Sequence, residues 1–162
     1  MTQDDLAAHA HAIIDANIYL TLGTADSDGL PWTSPVYFAG GHDRQFYWAS
    51  APDARHSRNL AERPHVSFVI FDSTVAAYHG RAVYAIGEAR ELSGSDLDRA
   101  LEVYPGPERR GGSAVTREEV TAPAQYRLYG ATARDMWVLC PRDPGQPCPL
   151  HGLARDHRAR VE

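Results

Sequence analysis

Cysteine is scarce in this sequence, with Cys140 and Cys148 the only two in 162 residues. Pro141, Pro144, Gly145 and Pro147 lie between them, so no structural disulfide framework is expected. A basic excess is also lacking. The formal net charge is −5 and the pI is near 5.9, which leaves no broad cationic field to neutralise nucleic-acid phosphates. Thr2, Gln3, Asp4 and Asp5 make no basic leader and no long apolar run follows, so neither a signal peptide nor a membrane span is expected and the expected location is cytoplasmic. A Ser-His-Asp order with a nucleophile elbow, a Walker phosphate loop and a GxGxxG after a strand are all absent, which disfavours hydrolase, nucleotidase and Rossmann chemistry.

What is present suits one domain of 17.8 kDa, large enough to bury about two thirds of its unfolded surface. Residues 1–140 carry the patterned elements, and 141–162 read as a Pro/Arg-rich tail. The most informative stretch runs from Phe46 to Asp72. Phe46, Tyr47 and Trp48 favour a strand, and Ala49 to Asp53 favour a turn that ends in a capping aspartate. A helix is expected from about Asp53, with Arg55, His56 and Ser57 in its first turn and Arg58 close behind. Backbone N–H groups, hydroxyls and guanidinium groups thus converge as an anion site requires. After Pro64, Val66 to Phe71 predict a strand buried on both faces. Upstream, Tyr19 to Ala25 and Leu30 to Phe38 predict a hairpin that turns at Asp26 to Gly29.

Several motifs in this order, Asp28-Gly29-x-Pro31, Ser34-Pro35-Val36-x-Phe38, the strand into Ser50, Arg55-His56-x-x-Asn59-Leu60, Pro64, Val66 and Gly87-x-Ala89, resemble the pyridoxamine 5'-phosphate oxidase-like superfamily. The resemblance spans residues 12 to 92, with a weaker echo in the last strand. It implies a mainly β (α+β) fold, a six-stranded antiparallel split β-barrel with flanking helices. It also implies a homodimer binding FMN, or F420 or haem in some branches, and hydride transfer to or from a small organic substrate. By position, Ser34, Pro35 and Val36 would run along the flavin ring, Ala49 and Ser50 would stand at the next strand end, and Arg55 and His56 would hold the phosphate. No catalytic residue is assigned.

The chain departs from the family pattern at Ser34, where many members carry a basic residue, at His56, commonly lysine, and at Ala82, glutamine in vitamin B6 oxidases. The family's C-terminal arginine-histidine signature is not reproduced, so a vitamin B6 oxidase is not expected. A histidine near half protonation at neutral pH would make phosphate binding pH dependent. The alternatives are a non-catalytic flavin- or haem-binding protein, with His79 or a tail histidine as the axial ligand, and a cofactor-free dimeric module.

Elsewhere, residues 4 to 14 predict an amphipathic helix whose His9 and His11 face solvent. Val75 to Leu92 reads as one long strand and Ser93 to Tyr104 as a helix. Pro105 to Ser113 reads as an exposed linker carrying Arg109 and Arg110, Thr116 to Glu119 as a short helix, and Ala124 to Cys140 as a closing strand. The tail is expected to be mobile or to strap a dimer. Cys140, Cys148, His151 and His157 invite a zinc reading, but they contain no tight CxxC pair, and no metal site is assigned.

Overall fold

The computed structural model describes residues 2–162. Thr2 opens the first helix, α1 (Gln3–Ala16), through a capping box: its hydroxyl accepts from Asp5 N–H, and the Asp5 carboxylate accepts from Thr2 N–H. Strands β1 (Tyr19–Ala25) and β2 (Pro31–Tyr37) form the expected hairpin, closed by Asp26, whose carboxylate accepts from the N–H groups of Asp28 and Leu30. Next come β3 (Ala39–Gly40), β4 (Gln45–Ser50), α2 (Arg55–Glu62), β5 (His65–Phe71), β6 (Ala82–Glu91), α3 (Gly94–Val103), β7 (Arg127–Leu139) and β8 (Arg158–Val161).

The sheet is antiparallel and curls in the order β2-β1-β5-β6-β7-β4-β3, with β8 added on β7. Eight strands therefore replace the expected six, because β3 is a two-residue bridge and the tail returns to the sheet as β8. The path ends at β2 on one side and at β4 and β3 on the other. These ends meet without pairing, which is the split of the barrel. Pro35 is tolerated inside β2 because β2 is an edge strand with one row of unpaired N–H groups.

Alternation along the strands builds two cores. Leu20, Leu22, Phe46, Trp48, Ile70 and Val83 point into the barrel with Leu6 and Ile14 of α1. Outside it, Leu92, Leu97, Ala100, Val120 and Leu128 join α3 and a short turn of helix at Glu118–Val120 to the other face of β4 and β7. Each fully buried large side chain contributes about 1.5–3 kcal/mol.

Three expectations need correction. Strand β5 buries Val66, Phe68 and Ile70 but leaves Ser67 and Phe71 exposed, so it has one core face rather than two. The 75–92 run splits into a loop and β6, which begins at Ala82 opposite Phe71, the last residue of β5. His11 is not simply solvated: its ring stacks on His42 with centroids 4.2 Å apart, and His42 pairs with Asp15 at 2.8 Å. Among the described residues no helix is long and apolar enough to cross a membrane.

The register of β6 on β7 shifts by one residue between Ile86 and Gly87, a bulge that bends the sheet. A Cβ at Gly87 would lie 2.0 Å from the backbone oxygen of Thr132, so only glycine fits there. Gly87→Ala is expected to cost about 1–3 kcal/mol through overpacking, read as a lower urea midpoint at unchanged slope.

Candidate functional site

The N-terminus of α2 lies against the split of the barrel. Its first-turn N–H groups have no intrahelical acceptors, and Ala54 at the N-cap offers no side-chain acceptor. Asp53, expected to cap, is not the N-cap, and its backbone carbonyl accepts from the Arg58 guanidinium instead. On its inner face α2 buries Ser57, Asn59 and Leu60, and Asn59 donates to Thr24 Oγ1 of β1 at 3.0 Å. The helix cannot roll without breaking that buried bond.

This docking carries His56 into the split. Its Nδ1 lies 3.2 Å from Ser34 Oγ on β2, and its Nε2 lies 2.8 Å from Ser50 Oγ at the end of β4. One imidazole thus joins the two strands that the sheet leaves unpaired. Ser34 Oγ also accepts from Trp32 Nε1 at 2.9 Å, and the Arg55 guanidinium lies 4.6 Å from the Trp32 ring centroid. The result is a half-buried polar group of two hydroxyls and one imidazole, flanked by one guanidinium on an indole face and by open helix N–H groups.

Burial holds the His56 pKa below its ordinary 6.5, so the ring is predominantly neutral at pH 7 rather than near half protonated. A neutral imidazole donates through one nitrogen and accepts through the other, so one serine accepts from it while the other donates to it. All sixteen basic side chains of this chain are arginines, so the permanent charge at the site comes from Arg55.

Ala49 faces the opposite way from Ser50 and lies on the wall of a cleft of about 660 Å³, lined by Tyr19, Tyr37, Tyr104, Val115 and Tyr126. That volume is within the range of about 300–1,000 Å³ usual for small-ligand sites. Arg110, expected on an exposed linker, instead anchors the rim. Its guanidinium donates to Phe38 O at 2.7 Å and lies 4.7 Å from the Phe38 ring centroid, and Tyr37 OH donates to Pro105 O on the same loop.

Of the residues selected from sequence, Ser34, Ser50, Arg55 and His56 come together. Val36 is buried beside Leu20 on the inner face of β2, Pro35 is exposed on the edge strand, and Ala49 belongs to the neighbouring cleft. Trp32 was missed. The period-two alternation of β2 sets Trp32, Ser34 and Val36 on one face, and that pattern could have found it.

A family model described as pyridoxamine 5'-phosphate oxidase matches residues 6–140. A curated pyridoxine/pyridoxamine 5'-phosphate oxidase from Bacteroides thetaiotaomicron is 30% identical over 102 residues, covering 60% of this chain and 46% of its own length. The chain therefore spans about half the length of that relative. Among solved structures, a haem-binding protein from Mycobacterium smegmatis aligns with a TM-score of 0.64 at 20% identity, covering 96% of this chain and 57% of its own. The haem storage protein HutZ from Vibrio cholerae aligns at 0.60 and 20% identity, covering 82% and 94%. A putative pyridoxamine 5'-phosphate oxidase from Listeria innocua aligns at 0.61 and 14%, covering 82% and 97%. At these identities the likeness establishes the fold.

The lowered His56 pKa has a consequence for stability. As pH falls through 6.5 the unfolded chain takes up the imidazole proton first, so stability declines until pH passes the lower folded value. Urea melts at pH 7.5 and pH 5 should show a smaller acid loss in His56→Gln than in the wild type.

Proposed function

This chain belongs to the pyridoxamine 5'-phosphate oxidase family, and from that premise we propose that it is a flavin-dependent oxidoreductase. It would bind FMN, or F420 in its place, and transfer hydride to or from a small organic substrate. The observation that carries this reading is the convergence of Ser34, Ser50 and His56 beside Arg55 at one helix N-terminus.

The residues present fit a phosphate-bearing tricyclic ligand. Arg55 supplies a charge-assisted contact, the α2 N–H groups supply donors, and the two serines supply hydroxyls. The tyrosine-lined cleft, on the face of β4 opposite Ser50, offers apolar walls to a small ligand. When bound, a flavin supplies the hydride chemistry itself. The chain's contribution is to fix its phosphate at α2, to exclude water along the cleft through Tyr37 and Tyr104, and to set the local charge through Arg55. Among the described residues no acid, base or nucleophile is assigned to the reaction.

A homodimer is part of this proposal. On its outer face the sheet leaves Val69, Tyr84, Ile86 and Trp137 only partly covered, in a groove that Thr21 and Thr33 complete. An apolar sheet face of this kind is suited to a second copy. Haem carriage by the same fold is the competing reading, since two of the structural neighbours above are haem proteins. His79, exposed in the loop between β5 and β6, is then the axial ligand to test.

Titration of the purified protein with FMN, F420 and haem, following ring fluorescence and the Soret band, separates these readings. The expected result is saturable binding of one flavin per chain. Arg55→Ala should weaken it by about 1.5–3 kcal/mol, roughly 10- to 150-fold. A Soret band lost in His79→Ala, with no flavin bound, would replace the oxidoreductase by a haem carrier.

A further inference from the structure

Cys140 stands one residue beyond the end of β7, and His157 one residue before β8. Their backbones are joined by a bond from Cys140 N–H to His157 O at 2.9 Å. Between them the chain turns at Cys148-Pro149-Leu150-His151, where His151 N–H donates to Cys148 Sγ at 3.1 Å and Gly152 N–H to Cys148 O at 2.9 Å. The tight pair missing from the sequence pattern is therefore this CxxH turn, and the strand pairing brings the other two donors to it.

The donor atoms of Cys140, Cys148, His151 and His157 all lie within 4.8 Å of one another. His151 Nδ1 is 3.6 Å from each of the two sulfurs and 3.1 Å from His157 Nε2, and His157 Nε2 is 3.5 Å from Cys148 Sγ. Zinc at its usual distances, about 2.3 Å to sulfur and about 2.0–2.1 Å to nitrogen, spans a tetrahedron with S–N edges of about 3.6 Å and an N–N edge of about 3.3 Å. The measured edges agree with these to within about 0.2 Å.

Ordinary hydrogen bonding serves this cluster poorly. His151 Nδ1 has three close neighbours, and a single proton there satisfies one of them. His157 Nδ1 lies 3.0 Å from Arg155 O, which holds the proton on that nitrogen and turns the Nε2 lone pair toward the cluster. A backbone carbonyl on the outer nitrogen is the usual partner of a metal-bound imidazole. Both cysteines are buried, at 3% and 2% exposure.

We propose that Cys140, Cys148, His151 and His157 form a structural zinc site that fastens the C-terminal segment to the end of β7. Four protein donors close the coordination sphere, so the metal serves folding rather than catalysis. The two thiols enter as thiolates, releasing their protons to solvent as Zn²⁺ binds, and no electron transfer is involved. The site shares no residue with the group around His56, and the proposal stands apart from the cofactor reading. By fixing β8 on β7 it also secures the packing of α1, which rests against β8.

The test uses the full chain purified under reducing conditions. Elemental analysis should give one zinc per chain, and replacement by Co²⁺ should give the intense visible bands of a tetrahedral thiolate site. Cys148→Ser and His157→Asn should each lose the metal while keeping the far-ultraviolet dichroism of the wild type. If these variants unfold, chelator treatment of the wild-type protein provides the second readout, with faster trypsin cleavage at Arg155 expected on zinc removal. A folded, reduced wild-type chain that takes up neither Zn²⁺ nor Co²⁺ overturns the proposal. So does metal uptake that survives Cys140→Ser/Cys148→Ser, or a Cys140–Cys148 disulfide found by mass spectrometry in freshly isolated protein.

Discussion

The structure depends on the thirteen-residue strand β7 and on how its two edges are used. One edge pairs with β6 from Val83 to Glu91, with the bulge at Gly87 supplying the bend. The other edge is shared, with Arg127 to Thr132 pairing to β4 and Met136 to Leu139 pairing to β8. A strand this long satisfies its backbone groups only if something covers both halves of that second edge. Barrel closure through β4 and the return of the tail through β8 answer the same demand. The His56 group lies toward the start of β7, since Arg127 faces Ser50, and the Cys/His cluster lies just past its end.

Across the split of the barrel the chain uses a side chain where a sheet would use ladder bonds. His56 reaches Ser34 on β2 and Ser50 on β4, and Asn59, one helical turn on, reaches Thr24 on β1. Helix α2 thereby ties three strands with polar contacts, while its apolar anchor is Leu60. Such bonds are worth about 0.5–1.5 kcal/mol each when made and cost more when one partner is removed. They therefore specify the geometry of the split more than they stabilise the domain.

Much of this was legible in the sequence where a period was clear. Strand β1 falls at Tyr19–Ala25 as expected, and α1, β2 and α3 lie within a few residues of their expected limits, because alternation and caps act locally. The approach of Ser34, Ser50, Arg55 and His56 was anticipated from family spacing rather than from periodicity. What escaped depends on contacts distant in sequence. Arg110 reads as an exposed charge, yet its partners are Ile14 and Phe38, far upstream. The run from Val66 to Phe71 reads as doubly buried because Val69 and Phe71 are apolar, although one chain alone leaves that face uncovered. Cys140 and His157 are seventeen positions apart, and only the pairing of β8 with β7 brings them together.

The protonation state of His56 links the fold to what the split can hold. While the ring is neutral, one serine proton is committed to it and the group around it carries no charge of its own. On protonation both ring nitrogens donate, so Ser34 and Ser50 both accept, and both of their O–H groups are released to point away from the ring. A proton taken up at His56 thus creates one positive charge and frees a hydroxyl donor beside Arg55. An anion at the α2 N-terminus and a proton on His56 must favour each other, by the reciprocity that governs any pair of linked sites. A lysine in this place would bring its charge at every physiological pH but could not bridge the two hydroxyls in its neutral form. Histidine lets the same side chain join β2 to β4 while neutral and, once protonated, add a positive charge beside Arg55.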